Sequence, residues 1–487
     1  MLSVLVCHSY FLRFDQKQKD RAKPYPPLAT LQVAAMLRAA GHEVSLFDAM
    51  LADDLTRFAR QLDVLKPQLV LVYEDNYNFL SKMCLGRMRE AAREMLGTAR
   101  ARGTRVLVGG SDASDAPGVY LQAGADAVLH GEALGTLQAM IDRLNADPSL
   151  DAARLVHGLA DVSIATPAGV QRERAAARLP EPKLATLPAW DLVDIEKYRR
   201  AWRRAHGYFS LNMAASRGCS FRCNWCAKPI WGNQYLQRPP REVAAELIHL
   251  RRHYRPDHIW FADDIFGFRV DWVHEFARAL EEGGGGVPFT IQTRADLVSP
   301  RMTEALRAAG CREVWIGAES GSQKILDAMN KGTRVGEIVQ ARKLLGEAGI
   351  RVGFFLQLGY LGEELEDILA TRRLVEESRP DDVGVSVSYP LPGTKFYEAV
   401  KSQLGSKTHW DESSDLDMMF AGTYQSGFYR TVRNLLHDEV VNPGAAEVAA
   451  RWNTLCAHER EHRHGGAHRT PARDGSFGPL RPATAFS

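Results

Sequence analysis

Short runs of aliphatic and β-branched residues alternate with helical patterns twice over in this chain, and such alternation predicts parallel sheets covered by helices. In residues 1–145 the runs are Leu2 to Cys7, Glu43 to Phe47, Leu69 to Tyr73, Arg105 to Val108 and Ala127 to Leu129. Between the first two, Leu28, Leu31 and Ala35 recur at helical spacing before Gly41, which reads as a helix with a glycine stop. The alternation stops over residues 146–200, a charged, proline-rich stretch that reads as a linker, and then resumes over 201–400. There the runs are Ser210 to Ala214, His258 to Ala262, Phe289 to Thr293, Glu313 to Gly317, Val352 to Leu356 and Val383 to Val387. The expected fold class is α/β. A doubly wound parallel-sheet domain is followed by a partial barrel of six β/α units, whose ligands bind at the carboxyl ends of the strands.

Strand patterns end near residue 400. Residues 401–458 read as a small, mainly helical cap, with Trp410, Phe420, Tyr424, Phe428 and Tyr429 as anchors and Val432 to Leu436 as a helical piece. Residues 459–487, rich in Arg, His, Gly and Pro, read as a disordered tail. His458, His462, His464 and His468 suit either metal chelation or a plain unstructured tail.

Charge narrows the partners. Lys plus Arg total 61 against 59 Asp plus Glu, a net charge of +2, which offers no broad basic face for nucleic acid or anionic lipid. The amino terminus reads as a first strand rather than a signal peptide, and no apolar run approaches the ~18 residues of a membrane span. Seven cysteines in 487 residues are too few for a disulfide scaffold, and together these features place the chain in a reducing cytoplasm.

Three of those cysteines crowd together. In Arg217-Gly218-Cys219-Ser220-Phe221-Arg222-Cys223-Asn224-Trp225-Cys226 they stand at C-x3-C-x2-C spacing on one loop after the first barrel strand. Three soft ligands can hold three irons of a cubane and leave the fourth open. A structural zinc site takes four ligands, and no second pair follows at the usual distance, although zinc or three unligated thiols remain alternative readings.

This motif, in this position, resembles the radical S-adenosylmethionine (SAM) superfamily, and the preceding α/β domain resembles the cobalamin-binding domain of its largest class. The likeness spans about residues 1 to 400. It extends to Phe261-Ala262-Asp263-Asp264, Gln292-Thr293-Arg294, Gly317-Ala318-Glu319-Ser320-Gly321-Ser322, Asn330-Lys331-Gly332-Thr333, Gly359-Tyr360-Leu361-Gly362-Glu363 and Tyr389-Pro390-Leu391-Pro392-Gly393-Thr394. The resemblance implies a [4Fe-4S] cluster on Cys219, Cys223 and Cys226, and SAM held by Arg294, Glu319, Ser320 and Leu356. It further implies cobalamin over the first sheet near Glu74, Asp75, Asn76, Gly109, Gly110, Ser111, Gly131 and Glu132. The string Asp-x-His-x-x-Gly occurs nowhere, so cobalamin is expected without a lower histidine ligand. Tyr360 and Tyr389 are candidates for the substrate cavity. Simpler readings stand beside these: Glu319 and Arg294 as an ion pair at the barrel mouth, Asp263 and Asp264 as helix caps, and the first domain as a vestige without cofactor.

The implied activity is methyl transfer to an unactivated carbon or phosphorus centre of a small molecule or peptide, by way of a 5′-deoxyadenosyl radical and methylcobalamin. An oxidative cyclase, and less readily a non-catalytic cobalamin or iron-sulfur carrier, are the alternatives. A tRNA methylthiotransferase has a similar barrel but brings three N-terminal cysteines, where this chain has only Cys7 and Cys84. An electron donor such as flavodoxin or ferredoxin is the expected partner. No catalytic acid or base is assigned, because the cofactors carry the difficult chemistry.

Overall fold

The computed structural model describes residues 1–78, 86–173, 187–226, 234–404 and 416–463. All five expected strands of the first domain form one sheet: β1 (Ser3–Cys7), β2 (Glu43–Phe47), β3 (Leu69–Tyr73), β4 (Arg105–Gly109) and β5 (Ala127–Leu129). They pair in parallel in the order β2-β1-β3-β4-β5. β3 is Leu69-Val70-Leu71-Val72-Tyr73, buried at every position, as a strand covered on both faces must be.

The stretch read as a linker differs from that reading. β6 (Val162–Thr166) and β7 (Gly169–Arg172) form a hairpin that extends the same sheet antiparallel beyond β5. Each strand is too short to register against the surrounding prolines. Trp190–Leu192 forms a single 3-10 turn and Ile195–His206 a helix, and this segment buries Trp190, Tyr198 and Trp202.

The second sheet contains β8 (Ser210–Met213), β11 (His258–Phe261), β12 (Phe289–Thr293), β13 (Cys311–Glu319), β14 (Arg351–Leu358) and β15 (Asp382–Val387). It is parallel throughout, in the order β15-β14-β13-β12-β11-β8. Between β8 and β11, β9 (Ser216–Gly218) and β10 (Tyr235–Gln237) form a separate antiparallel pair. Period two divides the barrel strands into two faces. Phe261 and Phe289 pack against Phe276 of the helix Val270–Glu282, so the odd-numbered residues there face the helices. Register then puts Trp260, Gln292, Trp315, Gly353, Phe355 and Gln357 on the lumen side.

One apolar core runs through both domains. It joins Val4, Leu71 and Leu107 of the first sheet to Leu211, Ile259 and Phe289 of the second through Trp190, Tyr198 and Trp202. A second core fills the opposite face of the first sheet around Leu5, Val70, Phe58 and Met95. Polar stitches cross the same seam: Trp202 Nε1 donates to Pro24 O (2.6 Å), Asn212 Nδ2 to Pro26 O (3.0 Å) and Tyr198 Oη to Asp48 Oδ2 (2.7 Å).

The C-terminal region forms two helices, Ser426–Val441 and Ala446–Ala457. Part of the segment read as tail is ordered: Glu459–His462 makes a 3-10 turn, and Arg463 bridges to Tyr424. His464, His468 and the rest of that tail lie outside the described residues. No helix among the described residues is long and apolar enough to cross a membrane.

Candidate active site

The cysteine loop starts where β9 ends. Gly218 adopts φ +76°, a left-handed conformation that glycine accepts at little cost, and Cys219 follows it, buried. The loop is then fastened from three directions. The Asn224 backbone N–H donates to Met329 O (3.0 Å) and its side-chain amide to Ala328 O (2.7 Å); Asn330 Nδ2 donates to Arg222 O (2.9 Å). Phe396 N–H donates to Asn224 O (3.0 Å), and Tyr360 Oη donates to Asn224 Oδ1 (2.6 Å). Tyr360, stacked on Phe396 with centroids 5.0 Å apart, is therefore a clasp on the cysteine loop. Its polar end serves that clasp rather than a substrate cavity. Among the described residues no three Cys, His, Asp or Glu side chains group as ligands of a single ion would. Three thiolates that each bind a different iron of a cubane would stand further apart than the ligands of one ion.

Two cations face this loop. Arg294, just past β12, places Nη1 3.8 Å from Cys223 Sγ and its guanidinium 3.8 Å from the centroid of the Phe221 ring. Asp296 grips it through two hydrogen bonds of 2.9 and 2.8 Å, and Thr333 Oγ1 accepts a third of 2.9 Å. Lys331 is buried and donates to Glu319 Oε1 at 2.7 Å. Burial by itself would lower its ammonium pKa, but the charges of Glu319 and then Cys223 outweigh that and raise it. Arg294 and Glu319 are therefore not partners of each other, as the ion-pair reading had them. Glu319 pairs with Lys331, and Arg294 with Asp296.

Backbone strain marks the same spot. Glu319 has φ +58°, at a register shift where β13 meets β14. Gly317 faces the pair so closely that a Cβ there would lie 2.7 Å from Lys331 Nζ and 2.8 Å from Glu319 Oε1. Ser320 is fully buried, its hydroxyl 3.2 Å from Thr371 Oγ1 and accepting from Ser322 N–H (3.1 Å), so it pins the turn after β13 to the helix Leu365–Ser378. Leu356 lies with Val352 and Phe354 on the helix-facing side of β14, because a single-residue step along a strand changes faces. Its side chain thus points away from the lumen where SAM was expected. Asp263 accepts from Ala215 N–H (3.0 Å) and from Ser216 Oγ–H, tying β11 to the start of β9 instead of capping a helix. Burial pushes its carboxyl up to about 7.

Over the first sheet, the candidate residues gather at the ends of β3, β4 and β5. Glu74 accepts from Ser9 Oγ (2.6 Å) and Ser9 N–H (3.2 Å), and burial raises its pKa. Asp75 accepts from Ala29 N–H (3.0 Å) in the first turn of the helix Leu28–Ala39; burial pushes it to about 6. Both carboxylates are thus committed within the protein. A Cβ at Gly110 would lie 2.7 Å from Glu74 Cγ, and one at Gly109 3.1 Å from the Tyr73 ring, so Glu74 already excludes a side chain at the first and Tyr73 crowds one at the second. Gly131 N–H donates to Ser114 Oγ (3.0 Å). Glu132 forms an ion pair with Arg217, two residues before Cys219, so the β5 loop meets the cysteine segment directly. Tyr389 is half-buried beyond β15.

Comparison with known proteins decides the family. The profile of the Radical SAM superfamily matches residues 213–375, and that of the B12 binding domain matches residues 20–141. The chain carries a radical SAM domain preceded by a B12 binding domain. This radical SAM chain is 24% identical over 399 residues to an uncharacterised methyltransferase of Pyrococcus horikoshii, covering 80% of itself and 82% of that protein. It is 23% identical to the hopanoid C-3 methylase of Methylococcus capsulatus, over 79% of itself and 70% of the relative. With the anaerobic magnesium-protoporphyrin IX monomethyl ester cyclase of Rubrivivax gelatinosus it shares 25%, over 58% and 49%. In fold it resembles the radical SAM methyltransferase TsrM from Kitasatospora setae (TM-score 0.64, 19% identity, 83% of this chain and 76% of that one).

The residues present suit the groups that this radical SAM enzyme and its B12 binding domain take. Three thiols on one clasped loop beside two cations suit an anionic thiolate cluster. Over the first sheet, both polar atoms of Asn76, Ser111 Oγ and His8 Nδ1 are buried without a hydrogen-bond partner. The edge of a corrin ring carries primary amides, which donate and accept in the way such atoms require.

Proposed function

We propose that this radical SAM enzyme is a cobalamin-dependent methyltransferase acting on an unactivated carbon or phosphorus centre of a small molecule. The observation that carries this reading is the contact between Glu132 of the B12 binding domain and Arg217 at the base of the cysteine loop, which sets the two cofactor regions face to face. When bound, the cluster and SAM supply a radical able to take hydrogen from an unreactive position, and cobalamin supplies the methyl group.

The chain's own residues hold and exclude. Cys219, Cys223 and Cys226 hold the cluster, Arg294 and Lys331 balance its charge, and Glu319 offers a carboxylate toward SAM at the barrel mouth. Ser320 acts by position, pinning the turn that carries Glu319. Asn76, Ser111, Gly131 and Glu132 would line the corrin site. No imidazole is assigned to its lower side: His8, the histidine after β1, is fully buried with Nε2 3.1 Å from Ala49 N and 3.2 Å from Asp48 Oδ1. A flavodoxin or ferredoxin supplies electrons, in a reducing cytoplasm.

The test is anaerobic purification with hydroxocobalamin, then incubation with SAM and a reductant. Release of 5′-deoxyadenosine and of S-adenosylhomocysteine together supports methyl transfer, and a substrate heavier by one methylene establishes it. The cyclase reading instead requires a product that has lost hydrogen or gained oxygen, without S-adenosylhomocysteine. Absence of corrin at any stoichiometry overturns the methyltransferase reading and leaves the barrel untouched.

A further inference from the structure

The lumen face of the second sheet is built for something flat. Trp315 of β13 lies across β14 and reaches β15: a Cβ at Gly353 would lie 2.6 Å from the indole carbons Cδ2 and Cε3, and one at Gly384 3.3 Å from Cζ3. Glycine inside a strand weakens it, and it marks places where something must approach the backbone closely. Two such glycines on neighbouring strands let the indole lie parallel to the sheet. Phe355 stacks beside it with centroids 4.8 Å apart and planes at 26°. The indole N–H is already engaged, donating to Glu313 Oε2 at 3.2 Å, so the surface left over is the aromatic face.

That surface is open on one side. Trp315 and Phe355 are only half-buried, whereas their strand neighbours Val314, Ile316, Val352 and Phe354 are fully buried under the helices. Two residues beyond Phe355, on the same face, Gln357 is 4% exposed. Its Nε2 donates to Ser388 Oγ (3.2 Å), and its Oε1 has no partner. A buried acceptor left unpaired is costly, and a donor on a bound molecule recovers that cost.

We propose that the Trp315–Phe355 platform is the floor of the substrate site and that the substrate is a small molecule with a flat, apolar ring system and a hydroxyl or N–H at its edge, received by Gln357 Oε1. This rests on the methyltransferase reading for the word substrate. Binding itself is measured apart from turnover.

Full-length, cluster-reconstituted protein is titrated with 2-naphthol, naphthalene and cyclohexanol by equilibrium dialysis. Saturable binding of 2-naphthol is expected, several-fold weaker binding of naphthalene, and none of cyclohexanol. Trp315→Leu should weaken 2-naphthol binding at least tenfold, with iron content and melting temperature as controls for folding. Gln357→Met, which keeps the shape and removes the acceptor, should make 2-naphthol and naphthalene bind alike, and this decides the matter if the tryptophan variant does not fold. Equal binding of cyclohexanol, no saturable binding of any probe, or a preference for 2-naphthol that survives Gln357→Met overturns the proposal. Failure to release 5′-deoxyadenosine from SAM, with this binding pattern intact, overturns the enzymatic reading alone.

Discussion

Asn224 and Tyr360 show how much one hydrogen bond carries at the residue scale. Removing the Tyr360 hydroxyl leaves Asn224 Oδ1 without its 2.6 Å donor on the loop that holds the cysteines. Tyr360→Phe should cost about 1–3 kcal/mol locally and lower iron and sulfide content after reconstitution, while Phe396 keeps the ring stacked. At Gly317 a single methyl is enough: Gly317→Ala places carbon within 3 Å of both members of the Lys331–Glu319 pair and should weaken SAM binding by tenfold or more in equilibrium dialysis, with little change in iron. The three cysteines were legible because ligand type and spacing are local properties of a sequence. Lys331 was visible only as part of a quoted segment, since its partner is fixed by where β13 ends and not by any periodicity. Leu356 misled for a related reason: the strand was right, but a side chain's face depends on register.

At the scale of elements, the loop after β14 is both cap and titratable group. Glu363 is fully buried, accepts from Gly359 N–H (2.6 Å), and is pushed by burial up to about 8. A carboxyl whose folded pKa lies above its unfolded value binds its proton more tightly when folded. Stability from this group is therefore greatest below the unfolded pKa of about 4.3 and falls as pH rises toward 8, by up to about 1.4 kcal/mol per pH unit. Glu363→Gln should flatten the decline in urea midpoint between pH 5 and pH 8; an unchanged slope would assign the decline to other groups. Strands β1 to β5 and the six barrel strands were readable because each is a compact apolar run between turn residues. The β6–β7 hairpin was not, because β7 is Gly-Val-Gln-Arg, exposed at every position, and carries no apolar alternation.

At the scale of the whole molecule the two domains behave as one body. Arg217→Ala removes the guanidinium that pairs with Glu132, whose side chain is 13% exposed, and should destabilise the docked pair by about 2 kcal/mol. A double-mutant cycle with Glu132→Ala, read from denaturation midpoints, should recover most of that loss as coupling. Expressing residues 201–487 alone would bare Trp202 and Asn212, whose acceptors Pro24 and Pro26 lie in the missing half, and that fragment should aggregate where the full chain stays in solution. Domain order was legible from the doubled alternation, but the seam was not, since contacts such as Trp202 Nε1 to Pro24 O join residues 178 apart in sequence.

That seam also bears on descent. A module with a closed surface can be shuffled between genes and keep working, but here Trp202 is completed by Pro24 and Asn212 by Pro26. A recombination breakpoint between the halves would pair each tryptophan and amide with a stranger's backbone, so the two halves are expected to have been inherited together, changing across the seam in compensating pairs.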